Sequence, residues 1–132
     1  MKILETDQWC LLLPLEWRAE HDDGLVLISD VDQIGEITIS TLCKSEGAVS
    51  AEEITKMATA ESPEVTQWHA AVLGVFQGVT GAFSEGDTAF REWYVTAGQV
   101  LLYITYDCDI EDRGMDDAAV DELLSTLVLG ED

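Results

Sequence analysis

Residues 89–106 read Ala89-Phe90-Arg91-Glu92-Trp93-Tyr94-Val95-Thr96-Ala97-Gly98-Gln99-Val100-Leu101-Leu102-Tyr103-Ile104-Thr105-Tyr106. β-branched and aromatic residues fill both halves, and Ala97-Gly98 breaks them in the middle. That composition around a glycine predicts two strands, Ala89–Thr96 and Gln99–Tyr106, folded back on one another. Upstream the pattern repeats in Val65–Leu73 and Val75–Phe83, joined at Gly74, with Glu85-Gly86-Asp87 as the next turn. Short strands linked by tight turns imply a mostly antiparallel meander.

The N-terminal part carries further strand signals. Gln8–Leu13 is an apolar run stopped by Pro14, and Trp17–Glu20 leads through His21-Asp22-Asp23-Gly24 into Leu25–Ile28. Asp-Gly between two such runs is a strong hairpin signal. Glu36–Leu42 alternates, with Ile37, Ile39 and Thr41 on one face. A helix is expected after Ser50, because Ser50-Ala51-Glu52-Glu53 is a capping box and Ile54, Met57 and Ala58 follow at helical spacing. It should stop near Glu61-Ser62-Pro63. A second helix is expected from Met115 to about Val128, with Ala119, Val120, Leu123, Leu124 and Leu127 as its apolar stripe. Strands with a middle and a final helix define an α+β class, a single domain over residues 1–132, with helices flanking an antiparallel sheet.

Charge narrows what such a domain can meet. The chain has 27 Asp and Glu against 6 Lys and Arg, a formal net charge of −21 on 132 residues, yet 47% of it is hydrophobic. Disordered acidic chains combine high charge with low hydrophobicity, so here the acid coats a folded body. The bases Lys2, Arg18, Lys44, Lys56, Arg91 and Arg113 form no local cluster. Nucleic acid and anionic membrane surfaces are thereby excluded as partners. A protein partner is expected, with basic protein surfaces and cations left open, and solubility or adaptation to a salty cytosol is the alternative use of the charge. No apolar run approaches a membrane span, and the first residues are too acidic for a secretory leader. Cys10, Cys43 and Cys108 are odd in number and lack CxxC spacing, so buried reduced thiols and a cytoplasmic setting are expected.

Leu13-Pro14-Leu15-Glu16-Trp17 resembles the Pro…Trp opening of Mog1/PsbP-like proteins, including the bacterial DUF1795 group. The closing strand Leu102-Tyr103-Ile104-Thr105-Tyr106, the acidic loop after it and the helix ending on Leu124-Ser125-Thr126-Leu127 resemble that group as well. The resemblance implies a curved antiparallel sheet flanked by helices. It also implies a binding role without catalysis, such as adaptor, chaperone or inhibitor, and it carries no site residue across.

No catalytic, cofactor-binding or metal-ligating residue is assigned. Asp107, Asp109 and Glu111 match the first ligand spacing of a calcium loop, but Asp112 stands where the turn glycine belongs and Ala118 where a bidentate Glu belongs. They read as a solvated loop. His21 and His69 share no ligand spacing, and Ser84 lacks the first glycine of a nucleophile elbow. Gly74, Gly78 and Gly81 read as bulges or close packing in strands. Arg91, Trp93 and Val95 share one strand face and form the candidate protein-binding surface, with burial in the core as the alternative for Trp93, as for Trp9, Trp17 and Trp68, and pairing to nearby carboxylates as the alternative use of Arg91. The rival reading, a small-ligand or metal-dependent enzyme with a carboxylate pocket, rests on Glu92, an acid among apolar strand residues.

Overall fold

The two strands flanking Ala97-Gly98 do pair, Trp93 opposite Ile104 and Tyr94 opposite Tyr103, at the heart of a large sheet. In this computed structural model, which describes residues 2–130, the order is β1 (Lys2–Glu5), β2 (Trp9–Leu13), β3 (Trp17–Asp22), β4 (Leu25–Asp30), β5 (Gly35–Cys43), α1 (Ala51–Glu61), β6 (His69–Leu73), β7 (Phe76–Glu85), β8 (Thr88–Ala97), β9 (Val100–Asp109), a 3-10 turn (Ile110–Asp112), α2 (Asp117–Leu124) and β10 (Val128–Leu129). Seven strands form an antiparallel sheet in the order β3-β4-β5-β9-β8-β7-β6, and β1-β2-β10 form a second, three-stranded one. The α+β class expected from the strand and helix signals is the one observed.

Local chemistry explains the elements the sequence announced. Asp23 and Gly24 both take positive φ, 50° and 86°, as a two-residue hairpin turn matched to strand twist requires. Ser50 Oγ accepts from the Glu53 amide at 3.1 Å, and the Ser50 amide donates to Glu53 Oε1 at 3.3 Å, so the capping box is complete. Gly81 has no room for a side chain. A Cβ there would collide with Val65 and press on the Trp68 ring, which makes close packing its reason for being glycine.

Both faces of the large sheet are covered, unequally. On the inner face Ile37, Ile39, Trp93, Val95, Leu102 and Ile104 meet α2 and the small sheet in one buried core. On the outer face α1 packs over β7 and β8, setting Ile54 and Ala58 against Tyr94 and Leu101.

Several boundaries differ from expectation. Lys2–Glu5 is a strand that its own residues do not signal; pairing with β2 makes it one. Strand β6 begins at His69 rather than Val65, because Val65 turns inward after Pro63 and is buried. Helix α2 ends at Leu124 rather than near Val128. Ser125 Oγ donates to the Glu122 carbonyl at 2.6 Å and Thr126 Oγ1 to the Leu123 carbonyl at 2.7 Å, closing the helix, after which Val128 and Leu129 pair with β2. Val120, Leu123, Leu124 and Leu127 are buried as the stripe predicted, whereas Ala119 is exposed. Cys108 is buried and Cys10 half-buried, but Cys43 is exposed, being the last residue of β5 at the end of the sheet.

Candidate functional site

Strand alternation puts Arg91, Trp93 and Val95 on the inner face of β8 and Phe90, Glu92 and Tyr94 on the outer. The candidate surface is therefore turned into the core: Trp93 is 2% exposed and Val95 fully buried. Arg91 is half-buried, and its charge is taken by α2. Its guanidinium meets Asp121 at 2.7 Å and Asp117 at 3.4 Å while lying 4.6 Å from the Trp93 ring centroid. Pairing with carboxylates, rather than recognition, is what Arg91 does. It lines a cleft of about 280 Å³ together with Tyr106, Cys108 and Arg113. Tyr106 there donates to Asp116 at 3.0 Å, and burial, reinforced by that carboxylate, pushes its phenol well above the ordinary range.

The surface left open is the outer face beyond α1, over β4, β5 and β9. Register builds a row across five strands: Ser29, Glu36, Asp107, Phe90 and Phe83. Glu36 and Asp107 stand directly opposite each other, two acidic residues side by side across β5 and β9. Among the described residues, no Lys or Arg forms an ion pair with either. Partial burial raises the Asp107 carboxyl above its usual range. Beside the acids, Phe83 and Phe90 stack at 4.7 Å, both half-buried. An acidic pair thus adjoins an aromatic pair, outside the cluster that α1 buries.

One strand position further along lies Glu92, opposite Thr105 and Gly81 and only 5% exposed. Tyr103 donates to its Oε2 at 2.5 Å, while Oε1 is buried without a hydrogen-bond partner, as is the Trp68 indole N–H. Aromatic rings surround the carboxylate. Tyr94 stacks on Tyr103 at 4.7 Å, Trp68 meets Tyr94 edge-on at 5.7 Å, and Tyr94 shares a hydrogen bond of 2.8 Å with Ser62. Burial, with help from Glu92, pushes the Tyr103 phenol well above its ordinary range. No group of three His, Cys, Asp or Glu able to hold a metal occurs among the described residues; Asp107 and Asp109 end β9 while Glu111 lies in the 3-10 turn.

A buried carboxylate lacking a cation and one hydrogen bond costs stability. Glu92→Gln keeps the volume and an acceptor for Tyr103 while deleting the charge. We expect it to stabilise the fold by about 1–2 kcal/mol, raising Tm by several degrees in thermal melts followed by circular dichroism. An unchanged or lower Tm would show that Glu92 is already compensated.

Sequence reasoning singled out Glu92 but missed the Glu36–Asp107 opposition, because that depends on pairing between distant strands. The clean alternation of Glu36–Leu42 was its only trace.

No family model matches the sequence, and no curated protein matches it. Solved structures do. A protein of Bacteroides thetaiotaomicron VPI-5482 is similar at TM-score 0.67 and 15% identity, over 94% of this chain and 46% of that one. The chain therefore spans about half the length of that protein. LpqN of Mycobacterium tuberculosis, involved in cell envelope biogenesis, is similar at TM-score 0.61 and 14% identity, over 93% of this chain and 83% of its own. The PsbP of Synechocystis sp. PCC 6803 matches at TM-score 0.43 and 14% identity, over 93% of this chain and 87% of its own. At these identities the likeness is one of fold. What is shared is the fold alone, an antiparallel sheet flanked by helices, which is the architecture that the Pro14…Trp17 opening and the closing strand and helix implied.

Proposed function

We propose that the chain is a protein-binding module, without catalysis, that receives a basic and apolar segment of a partner protein on the open outer face. The observation that carries this reading is the row Glu36–Asp107–Phe90–Phe83, where opposed acids lie beside a half-buried aromatic stack outside the cluster that α1 buries. A cation brought by a partner would pair with the acids, and the rings would supply apolar area. The surrounding acid would speed encounter and make the association rate salt-sensitive. A reducing compartment, the cytoplasm, suits the exposed thiol of Cys43. No helix among the described residues is long and apolar enough to cross a membrane.

The enzyme reading draws on the unpartnered Oε1 of Glu92. Its nearest hydrogen-bonding partner, Tyr103, is pushed away from neutral pH, the wrong direction for an acid–base pair. Binding is the better supported of the two.

Affinity capture from source-cell extract over a salt series tests the proposal, with the double variant Glu36→Lys/Asp107→Lys run in parallel. A basic protein held at low salt and released at high salt is expected, with retention by the variant reduced about tenfold or more. No captured protein at any salt, or capture indifferent to the variant, would overturn it.

A further inference from the structure

The two edges of the seven-stranded sheet are chemically unlike. Strand β3 carries Arg18, Glu20 and Asp22, all exposed, so charge guards its free backbone groups. Strand β6, His69-Ala70-Ala71-Val72-Leu73, carries none. No Asp, Glu, Lys or Arg occurs anywhere between Glu64 and Glu85, which spans the whole β6–β7 hairpin except its final residue. The central strands β8 and β9 are also poor in charge, but burial explains them. An edge has no such reason. Val72 is 70% exposed and Ala70 is exposed beside it on the outer face. Among the described residues, no backbone hydrogen bond runs from His69–Leu73 to any turn, loop or segment beyond its partner strand β7. The other devices that blunt edges are missing as well: β6 contains no proline, and it pairs with β7 without a bulge.

We propose that β6 is a self-association edge, pairing antiparallel with β6 of a second copy about a two-fold axis and continuing the sheet into the partner. Identical chains of net charge −21 can approach closely only where both are uncharged, and this edge is such a place. A foreign basic partner would be drawn elsewhere, to the acids. The contact is isologous, so each chain completes the other's open edge and the assembly closes at two copies. Five residues of strand make a small interface, hence a weak dimer whose population rises with concentration. The outer-face row of Glu36 and Asp107 is left free, so this inference stands or falls apart from the proposed partner site.

Salt gives the dimer a signature. Screening weakens the repulsion between two acidic bodies, so added NaCl should tighten association by about tenfold, whereas it would loosen binding to a basic partner. The test is sedimentation velocity of the whole chain over a range of concentrations at low and high NaCl, with hydrogen exchange of the β6 amides measured alongside. We expect a monomer–dimer equilibrium shifted to dimer by salt, and concentration-dependent protection confined to β6. The double variant Ala70→Glu/Val72→Glu, at exposed positions, should weaken association at least about tenfold with an unchanged circular dichroism spectrum. Glu20→Gln on β3 should leave it intact. A monomer at every salt and concentration, or a dimer whose β6 amides exchange independently of concentration, would refute the proposal. The exchange measurement decides on the unmodified chain even if the double variant fails to fold.

Discussion

Replacing Trp93 by Ala is expected to remove about 3–5 kcal/mol of stability. The residue is 2% exposed on the inner face of β8, opposite Thr80 of β7 and Ile104 of β9. Truncation deletes a large apolar contact at the centre of the core, and neighbours held in three paired strands cannot collapse into the space. It also strips the Arg91 guanidinium of the ring it lies over, which adds roughly 0.5–1 kcal/mol. Net stabilities of such domains are about 5–15 kcal/mol, so the variant should be marginal at ambient temperature. Urea unfolding followed by circular dichroism would read the loss as a lower midpoint at constant m-value. Trp93→Phe should retain most of the stability. A variant that folds as well as the parent but loses a partner would return Trp93 to the role of a surface residue, against its burial.

The sequence carried local information well and long-range information poorly. Asp23-Gly24 and the Ser50–Glu53 box act within a few residues, and both do in the structure what their chemistry requires. The inward side of β8 was not readable. Trp93 and Val95 alternate with Tyr94, so each face of this stretch offers aromatic or β-branched residues, and where α1 covers the outer side of β8 no polar side breaks the tie. Arg91 follows the alternative its scarcity suggested: it reaches over Trp93 to carboxylates on α2, although which carboxylates these are depends on the packing of α2. Strands β1 and β10 exist through their pairing with β2 rather than through their own composition. Glu36 and Asp107 meet only because β5 and β9, far apart in the chain, lie side by side in one register. The edge status of β6 is likewise topological, although the charge-free run that gives it meaning was present in the sequence.

Added NaCl is expected to raise Tm by about 5–15 °C between low and high ionic strength. A globule of this length has a radius of roughly 15–20 Å. A charge of −21 spread over it gives self-repulsion on the order of ten kcal/mol at physiological salt, falling by about half as the screening length shrinks from ~8 to ~3 Å. The unfolded chain keeps part of that repulsion, which leaves a net gain of a few kcal/mol. Screening also weakens favourable pairs, but the ion pairs found among the described residues use only Lys44 and Arg91, and exposed pairs are each worth about 1 kcal/mol or less. Repulsion therefore wins and the sign is positive. Acid should act in the same direction over a limited window. The Asp107 carboxyl is raised above its unfolded value, so the folded state binds its proton first, and stability from this group grows as pH falls through the folded value towards the unfolded one. The opposed pair supplies the internal control. Glu36→Gln/Asp107→Asn should raise Tm at low salt, flatten its dependence on NaCl and remove the contribution of Asp107 to the acid window. Thermal melts of both proteins across a salt series would measure all of this, and a flat or falling Tm in the parent would mean that the acidic surface does not strain the fold.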